Sequence, residues 1–237
     1  VRSGASVTPA HPTWAQPMFN AVGVRNIEVG RIPTGGISIN GTQFVSFMSL
    51  HRWLGPGRWS TNYSGIALSH NNGQTWTTNN NTIRANLDLG IPGVPQVQRG
   101  HGRFQMGAFL KVGKTVYYYG TPDGRWGGVY LARVDEKDIE NLGKWQYFSY
   151  GRWVPNNPDA ATPVMGAPTG EMSVQWNDYL GKYISLASQD VGVTLRTAER
   201  SYVLDESLTE LAPRLGERFL RIHRNALVAR NAIRVLE

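Results

Sequence analysis

Few residues in this sequence have the type and setting to do chemistry, and most of those few are carboxylates, arginines and indoles. Glu171 stands at the start of a short strand-like run. It could act as an acid, a base or an acceptor for sugar hydroxyls, or it could cap a neighbouring strand. Asp123 lies in Thr121-Pro-Asp-Gly-Arg-Trp126, a turn-forming string. Arg125 and Trp126 beside it have the composition of a sugar platform, with a flat ring face and a guanidinium for hydroxyls. Residues 51–63 combine Trp53, Trp59, Asn62 and Tyr63 with Arg52 and Arg58, and read as a long inter-strand loop suited to ligand contact. Packing of these rings between layers is the competing reading. Glycoside hydrolysis commonly needs two carboxylates across the scissile bond. Glu171 is the main candidate, with Asp123 and Asp190 in turns, so the pair stands incomplete.

Other chemistries fail on residue type or spacing. There is no Cys, which excludes disulfides, thiolate zinc sites and Cys nucleophiles. His11, His51, His70, His101 and His223 are too dispersed for a His-based metal motif. No nucleophile elbow, Walker loop or dinucleotide fingerprint occurs. Neither a metal nor a cofactor is therefore expected. No apolar run is long enough for a transmembrane helix. The net charge of +7 is spread without a basic run, so it reads either as a basic soluble surface or as attraction for an anionic partner. The chain begins with Val and shows no leader-like segment, and it reads as a mature or excised piece.

The elements that must position these residues repeat. Runs rich in β-branched and aromatic residues follow Gly41, Gly113 and Gly181, about 70 residues apart. Each run is preceded by a short strand, starting near Gly36, Met106 and Met172. Each is followed by another strand, starting at Gly65, Gly128 and Gly192. Such a unit, with a fourth strand in prospect, is a propeller blade. Ser69-His-Asn-Asn-Gly-Gln-Thr-Trp76 matches the Asp-box pattern with Asn71 at the Asp position. It predicts a turn in which Asn71 accepts backbone N–H groups, Gly73 takes a positive φ and Trp76 packs over the turn. Aligning the first strands places Thr34 and Gly35, Gln105 and Met106, and Gly170 and Glu171 at equivalent positions near one mouth of a central axis.

The expected fold is therefore mainly β: a partial propeller of about three to four blades with a short C-terminal helix-strand appendage. Residues 1–29 carry no clear blade pattern, 30–200 form the incomplete propeller and 201–237 form the appendage. Three blades do not close a ring, so one or two blades are expected to be missing. Composition changes near residue 200: all Trp precede that point. A capping box from Ser207 to Glu210 predicts a helix ending near Gly216, and the run from Phe219 reads as a strand.

Several strings together resemble a known family. They are Ile32-Pro-Thr-Gly-Gly-Ile37, Trp59-Ser-Thr-Asn-Tyr-Ser-Gly65, Phe104-Gln-Met-Gly-Ala-Phe109, residues 120–134, and Gly170-Glu-Met-Ser-Val174 with Asn177 and Gly181. Over residues 26–200 the chain resembles the domain-of-unknown-function propeller family that includes endo-D-arabinanases. The resemblance implies a five-bladed propeller, export or residence in the cell envelope, and hydrolysis of D-arabinofuranosyl linkages in cell-wall arabinan. The alternative is a non-catalytic carbohydrate-binding propeller. The family's catalytic aspartates accompany a Gly-Asp-Thr-Phe-like string in a first blade; this chain lacks that string, so no position inherits the role. The implied site-lining residues are Asn62, Tyr63, Gln105, Asp123, Arg125 and Glu171, beside Trp59 and Trp126 from the reading above. Residues 202–237 resemble part of the LytTR DNA-binding domain of response regulators. That resemblance places Arg221, His223, Arg224, Arg230 and Asn231 in or near the DNA-approaching region. A third of such a domain cannot build its sheet, so a cell-wall polysaccharide is the expected partner and nucleic acid is not.

Overall fold

The computed structural model describes residues 17–88, 90, 95–188, 193–196, 201–204, 213, 216–223 and 226–229. The first sheet is a meander of β1 (Gly30–Ile39), β2 (Thr42–Gly55), β3 (Arg58–Ser69) and β4 (Thr77–Thr78), with β5 (Arg84–Ala85) also paired to β3. The second contains β6 (Met106–Val112), β7 (Thr115–Thr121), β8 (Gly127–Asp135), β9 (Gln146–Ser149) and β10 (Arg152–Pro155) in meander order, with β11 (Pro163–Thr169) paired to β8. Three antiparallel hairpins follow: β12 (Met172–Asn177) with β13 (Lys182–Ala187), β14 (Val193–Arg196) with β15 (Ser201–Leu204), and β16 (Phe219–His223) with β17 (Ala226–Ala229).

The nine strands anticipated from the repeat are all present, and the architecture is that of a partial propeller. The first strands of the three units lie side by side, β1 against β6 and β6 against β12. That is the arrangement of blades around a shared axis. The third unit departs from the expectation. Among the described residues, β13 and β14 pack together but belong to separate two-stranded ladders, so this unit is not one continuous sheet. The C-terminal strand also has a partner, since Phe219–His223 pairs with Ala226–Ala229. Of the helix expected over 207–216, residues 207–212, 214 and 215 lie outside the described residues, and Gly216 opens a short 3-10 turn ahead of β16.

Residues 51–63 are not a loop. β2 and β3 run on as a hairpin out to Gly55 and Arg58, with Pro56 and Gly57 making the turn. Trp53 faces Trp59 across this ladder, their ring centroids 5.8 Å apart in an edge-to-face contact. The physical reason is that the aromatic and β-branched residues read as ligand-loop chemistry are also good strand formers. A Pro-Gly turn lets them pair across the ladder.

Gly35 lets the first two sheets come together, and Gly107 lets β6 lie close against β7 within the second sheet. A Cβ on Gly35 would sit 2.5 Å from the Gly107 carbonyl oxygen, and one on Gly107 would sit 2.3 Å from that of Tyr119. Around this contact the sheets share a core of Ile39, Phe44 and Ile66 from the first and Phe104, Phe109, Tyr118, Trp145 and Tyr147 from the second. β7 shows the required period of two: Val116 and Tyr118 are buried while Tyr117 and Tyr119 are less so.

The Asp-box turn forms as its residues dictate. Asn71 Oδ1 accepts the Thr75 N–H at 2.9 Å, and Ser69 Oγ accepts the Gly73 N–H at 2.9 Å. Gly73 has φ +81°, and the Trp76 indole donates to its carbonyl at 3.1 Å. Trp76 then packs on Phe47, Tyr63, Ala67 and Ile83, which anchors the turn to the outer core.

Two substitutions separate these effects. Asn71→Ala is expected to cost about 1 kcal/mol, because the turn donors it frees are solvent-accessible. Gly107→Ala is expected to cost more, about 1–3 kcal/mol, because its methyl meets backbone rather than a yielding side chain. Urea titration at constant m-value checks both. The reverse ranking would show that the strand approach is not tight.

Candidate functional site

The polar residues nominated from sequence fall into two networks that share the backbone of β3 at Thr61 and Asn62. The first is centred on Asp123, in the turn between β7 and β8. Its carboxylate accepts the Thr61 N–H at 3.1 Å and the Asn86 side-chain amide at 3.2 Å. Thr61 donates its hydroxyl to Gln105 Oε1 at 2.9 Å, and the Gln105 amide donates to the carbonyls of Arg84 and His101. Gln105 is fully buried, so its three bonds make it a structural pin rather than a surface available to ligand. Burial raises the Asp123 carboxyl above its ordinary 3.8, and the hydrogen bonds from Thr61 and Asn86 only partly oppose this.

Arg125 lies two residues further along the same turn. Its Nε and Nη2 donate to the two oxygens of Glu171 at 2.8 Å each, a two-point ion pair. Ser188 donates a third hydrogen bond to Glu171 at 2.6 Å. Partial burial alone would push Glu171 upward. The bonds from Arg125 and Ser188 outweigh it and hold the carboxyl below the ordinary value of 4.5. Gly170 makes room for this pair, since a Cβ there would lie 2.7 Å from Arg125 Cγ. Glu171 therefore stands at the start of β12 as expected, with both oxygens occupied.

The indoles complete the region. The Arg125 N–H donates to the Gly57 carbonyl at 3.0 Å, which ties the 121–126 turn to the tip of the β2–β3 hairpin. Trp59 is buried beneath Arg125, whose guanidinium carbon is 6.0 Å from the ring centroid, and the Trp59 Nε1 has no hydrogen-bond partner among the described residues. Trp126 is 48% exposed with Arg58 over its ring at 5.2 Å, and Trp53 is 56% exposed on the joined hairpin tip. Two accessible indoles, an ion-paired arginine and a half-buried carboxyl thus share one pair of linked turns.

Asn62 and Tyr63 belong to the second network, which the sequence reading missed. Its centre is Glu28, only 4% exposed, in the segment that showed no blade pattern. Glu28 accepts from Arg31 Nε at 2.9 Å, Ser49 Oγ at 2.7 Å and the Val22 N–H at 3.1 Å. The Asn62 amide donates to Ser49 Oγ at 3.0 Å and to the Ile27 carbonyl at 2.6 Å, and its oxygen lies 3.1 Å from His51 Nδ1. Tyr63 is buried against Phe47, and burial raises its phenol above the ordinary value. This network fastens residues 22–31 to β2 and β3. Thr61, Asn86 and Ser188 were likewise missed, because each is an ordinary polar residue whose partner is distant in sequence.

Among the described residues there is no cluster of three or more His, Asp or Glu able to hold a metal. No described helix is long and apolar enough to cross a membrane, a statement that does not bear on β-barrels. Arg221 and His223 lie on β16, whereas Asp190, Arg224, Arg230 and Asn231 lie outside the described residues.

Fold and site together define a mainly β protein of propeller blades whose linked turns gather exposed indoles beside two carboxyls. The profile described as "Domain of unknown function (DUF4185)" matches residues 2–207, and the chain belongs to that family. The profile of the LytTR DNA-binding domain matches residues 182–237, overlapping the end of the first. The "Positive alginate biosynthesis regulatory protein" of Pseudomonas aeruginosa is 58% identical over 45 residues, which are 19% of this chain and 18% of that protein. Among solved structures, a GH32 beta-fructofuranosidase of Bombyx mori in complex with sucrose superposes with TM-score 0.38 at 14% identity, covering 71% of this chain and 33% of that one. The solved BT0996–RGII complex superposes with TM-score 0.39 at 14% identity, covering 76% of this chain and 53% of that one. The chain thus spans about half or less of the length of each of these three proteins.

The two carboxyls should shape stability in opposite senses. Asp123, raised in the fold, contributes stability that is present below pH 3.8 and lost as pH rises through its folded value. Glu171, lowered in the fold, contributes stability that is present above pH 4.5 and lost as pH falls through its folded value. Urea titrations across this range should show Asp123→Asn gaining on the parent as pH rises and Glu171→Gln gaining as pH falls. Parallel curves for either variant would rule that carboxyl out as the source.

Proposed function

We propose that this protein binds a cell-wall polysaccharide at the linked turns of β2–β3 and β7–β8. The observation that carries this reading is the pairing of exposed Trp53 and Trp126 on two segments joined by the Arg125–Gly57 hydrogen bond, beside Asp123 and the Arg125–Glu171 pair. Sugar rings stack their C–H faces on indoles while their hydroxyls need donors and acceptors at the edge. The resemblance over residues 26–200 directs the choice of glycan to D-arabinofuranosyl chains, and of location to the cell envelope or exterior.

Hydrolysis is a proposed extension of the same site. Glycosidases set two carboxyls apart in protonation, one acid and one ionised. Here Asp123 is pushed toward the protonated form and Glu171 toward the ionised one. In this reading Asp123 protonates the leaving oxygen. Glu171 acts on the sugar or on water only after exchanging its bonds to Arg125 and Ser188.

Incubation of the full chain with arabinogalactan, followed by affinity measurement and product analysis, tests both levels. Trp126→Ala and Trp53→Ala are each expected to weaken binding on the order of tenfold. Asp123→Asn is expected to retain binding and to abolish any release of oligoarabinosides. Unchanged affinity in both Trp variants would remove the site. Binding without release in the parent would leave a lectin-like propeller.

A second reading is DNA contact through the C-terminal segment, favoured by the LytTR match over residues 182–237. It predicts duplex binding that weakens steeply with salt, in proportion to the phosphates neutralised.

A further inference from the structure

Arg84 is a charged side chain in the interior whose charge no described carboxylate offsets. It lies on β5, against the core between the first two sheets, and is 3% exposed. Its guanidinium carbon is 4.8 Å from the Trp145 ring centroid, 5.7 Å from that of Phe104 and 6.0 Å from that of Tyr118. These faces supply diffuse negative potential and no hydrogen-bond acceptor on the ring plane. Nε and Nη2 are both buried and without a hydrogen-bond partner among the described residues. They form one edge of the guanidinium, the same edge with which Arg125 grips both oxygens of Glu171. Arg84 lines a small internal cavity together with Ser46, Ser64, Gly65, Phe109, Tyr118 and Trp145.

The neighbours cannot satisfy this edge. Ser64 Oγ is committed to the Phe104 carbonyl at 2.7 Å, and Ser46 Oγ to Thr34 Oγ1 at 2.9 Å and the Gly35 carbonyl at 3.2 Å. The Trp145 indole donates to the Ile139 carbonyl at 3.2 Å. His101, whose carbonyl accepts from the same Gln105 amide as that of Arg84, adds no compensating charge. Burial, and then the Arg84 charge, depress its ring to about 3, so it is neutral above that pH. Burying a cation without a counter-charge is costly, and leaving its donors unmade adds to that cost. The cavity admits a single small occupant and is too tight for a carboxylate, phosphate or sulfate; a chloride, somewhat larger than a water, fits with a slight outward relaxation of the lining side chains.

We propose that the Arg84 edge, inside the cavity between the first two sheets, binds a monatomic halide, chloride under physiological conditions. The ion would accept from Nε and Nη2 together and neutralise the guanidinium. It would act as a structural ion that fastens β5 of the first sheet to Phe104, Tyr118 and Trp145 of the second. The site is separate from the linked turns of β2–β3 and β7–β8 and does not depend on any glycan being bound.

The test is thermal unfolding of the full chain in sodium chloride, bromide, gluconate and sulfate at matched ionic strength, with bromide anomalous diffraction from crystals. Chloride and bromide should raise the Tm by about 3–6 °C for each tenfold increase above the dissociation constant, with no such rise in gluconate or sulfate. Arg84→Met, which keeps the aliphatic stem, should lose the halide dependence. If that variant does not fold, the bromide peak in the parent protein decides. A peak within hydrogen-bond distance of Nε and Nη2 supports the site. Absence of the peak would overturn it in favour of a water, and equal stabilisation by all four salts would overturn it in favour of general screening.

Discussion

Gly35 allows β1 to approach β6 so closely that a single methyl group on it would overlap the Gly107 backbone. Much of the rest of the molecule depends on that contact. It brings the inner strands of two meanders side by side and closes the aromatic core of Phe104, Tyr118, Trp145 and Tyr147 against Ile39, Phe44 and Ile66. It also fixes the distance between sheets at which Gln105, just before β6, can hold Thr61 on β3 and the Arg84 carbonyl on β5 at once. A looser approach would leave those buried groups without partners, so packing and polar satisfaction impose the same geometry.

The site inherits its order from this arrangement. Thr61 is held from one side by Gln105 and offers its N–H to Asp123 on the other. Asp123 and Arg125 share one tight turn. The Asp is drawn inward to β3 while the Arg reaches across to Glu171 at the start of the third unit. A single turn thereby links all three units, and the opposite displacements of the two carboxyls follow from it. One carboxyl is buried against neutral amides and the other faces a guanidinium. The outer edges of β3 and β8 show a matching economy. Each carries two short strands, β4 and β5 on the first and β9 and β11 on the second. On the first, β5 packs against residues 101–104 of the second unit, which is how Arg84 comes to be buried.

Much of the fold was legible in the residues because it rests on local rules. Alternation and glycine-punctuated β-branched runs announce strands whatever their surroundings, and the turn at residues 69–76 carries its own donors and acceptors. The stretch at 51–63 misled because strand-forming aromatics and ligand-binding aromatics are the same residues. Only the cross-strand pairing of Trp53 with Trp59 distinguishes the two.

Period, turn chemistry and residue type were enough to set the nine strands of the repeat, their order and the box turn. They were also enough to nominate Asp123, Arg125 and Trp126 in one turn and Glu171 separately at the start of a strand, because each of these signals acts over a few positions. Tertiary packing made Gln105 a pin and turned Asn62 and Tyr63 toward a buried Glu28. It also paired Glu171 with Arg125 and set Arg84 among three rings. Each of those outcomes joins residues tens of positions apart. Nothing in a polar side chain's own neighbourhood specifies which distant donor or acceptor will satisfy it once water is excluded.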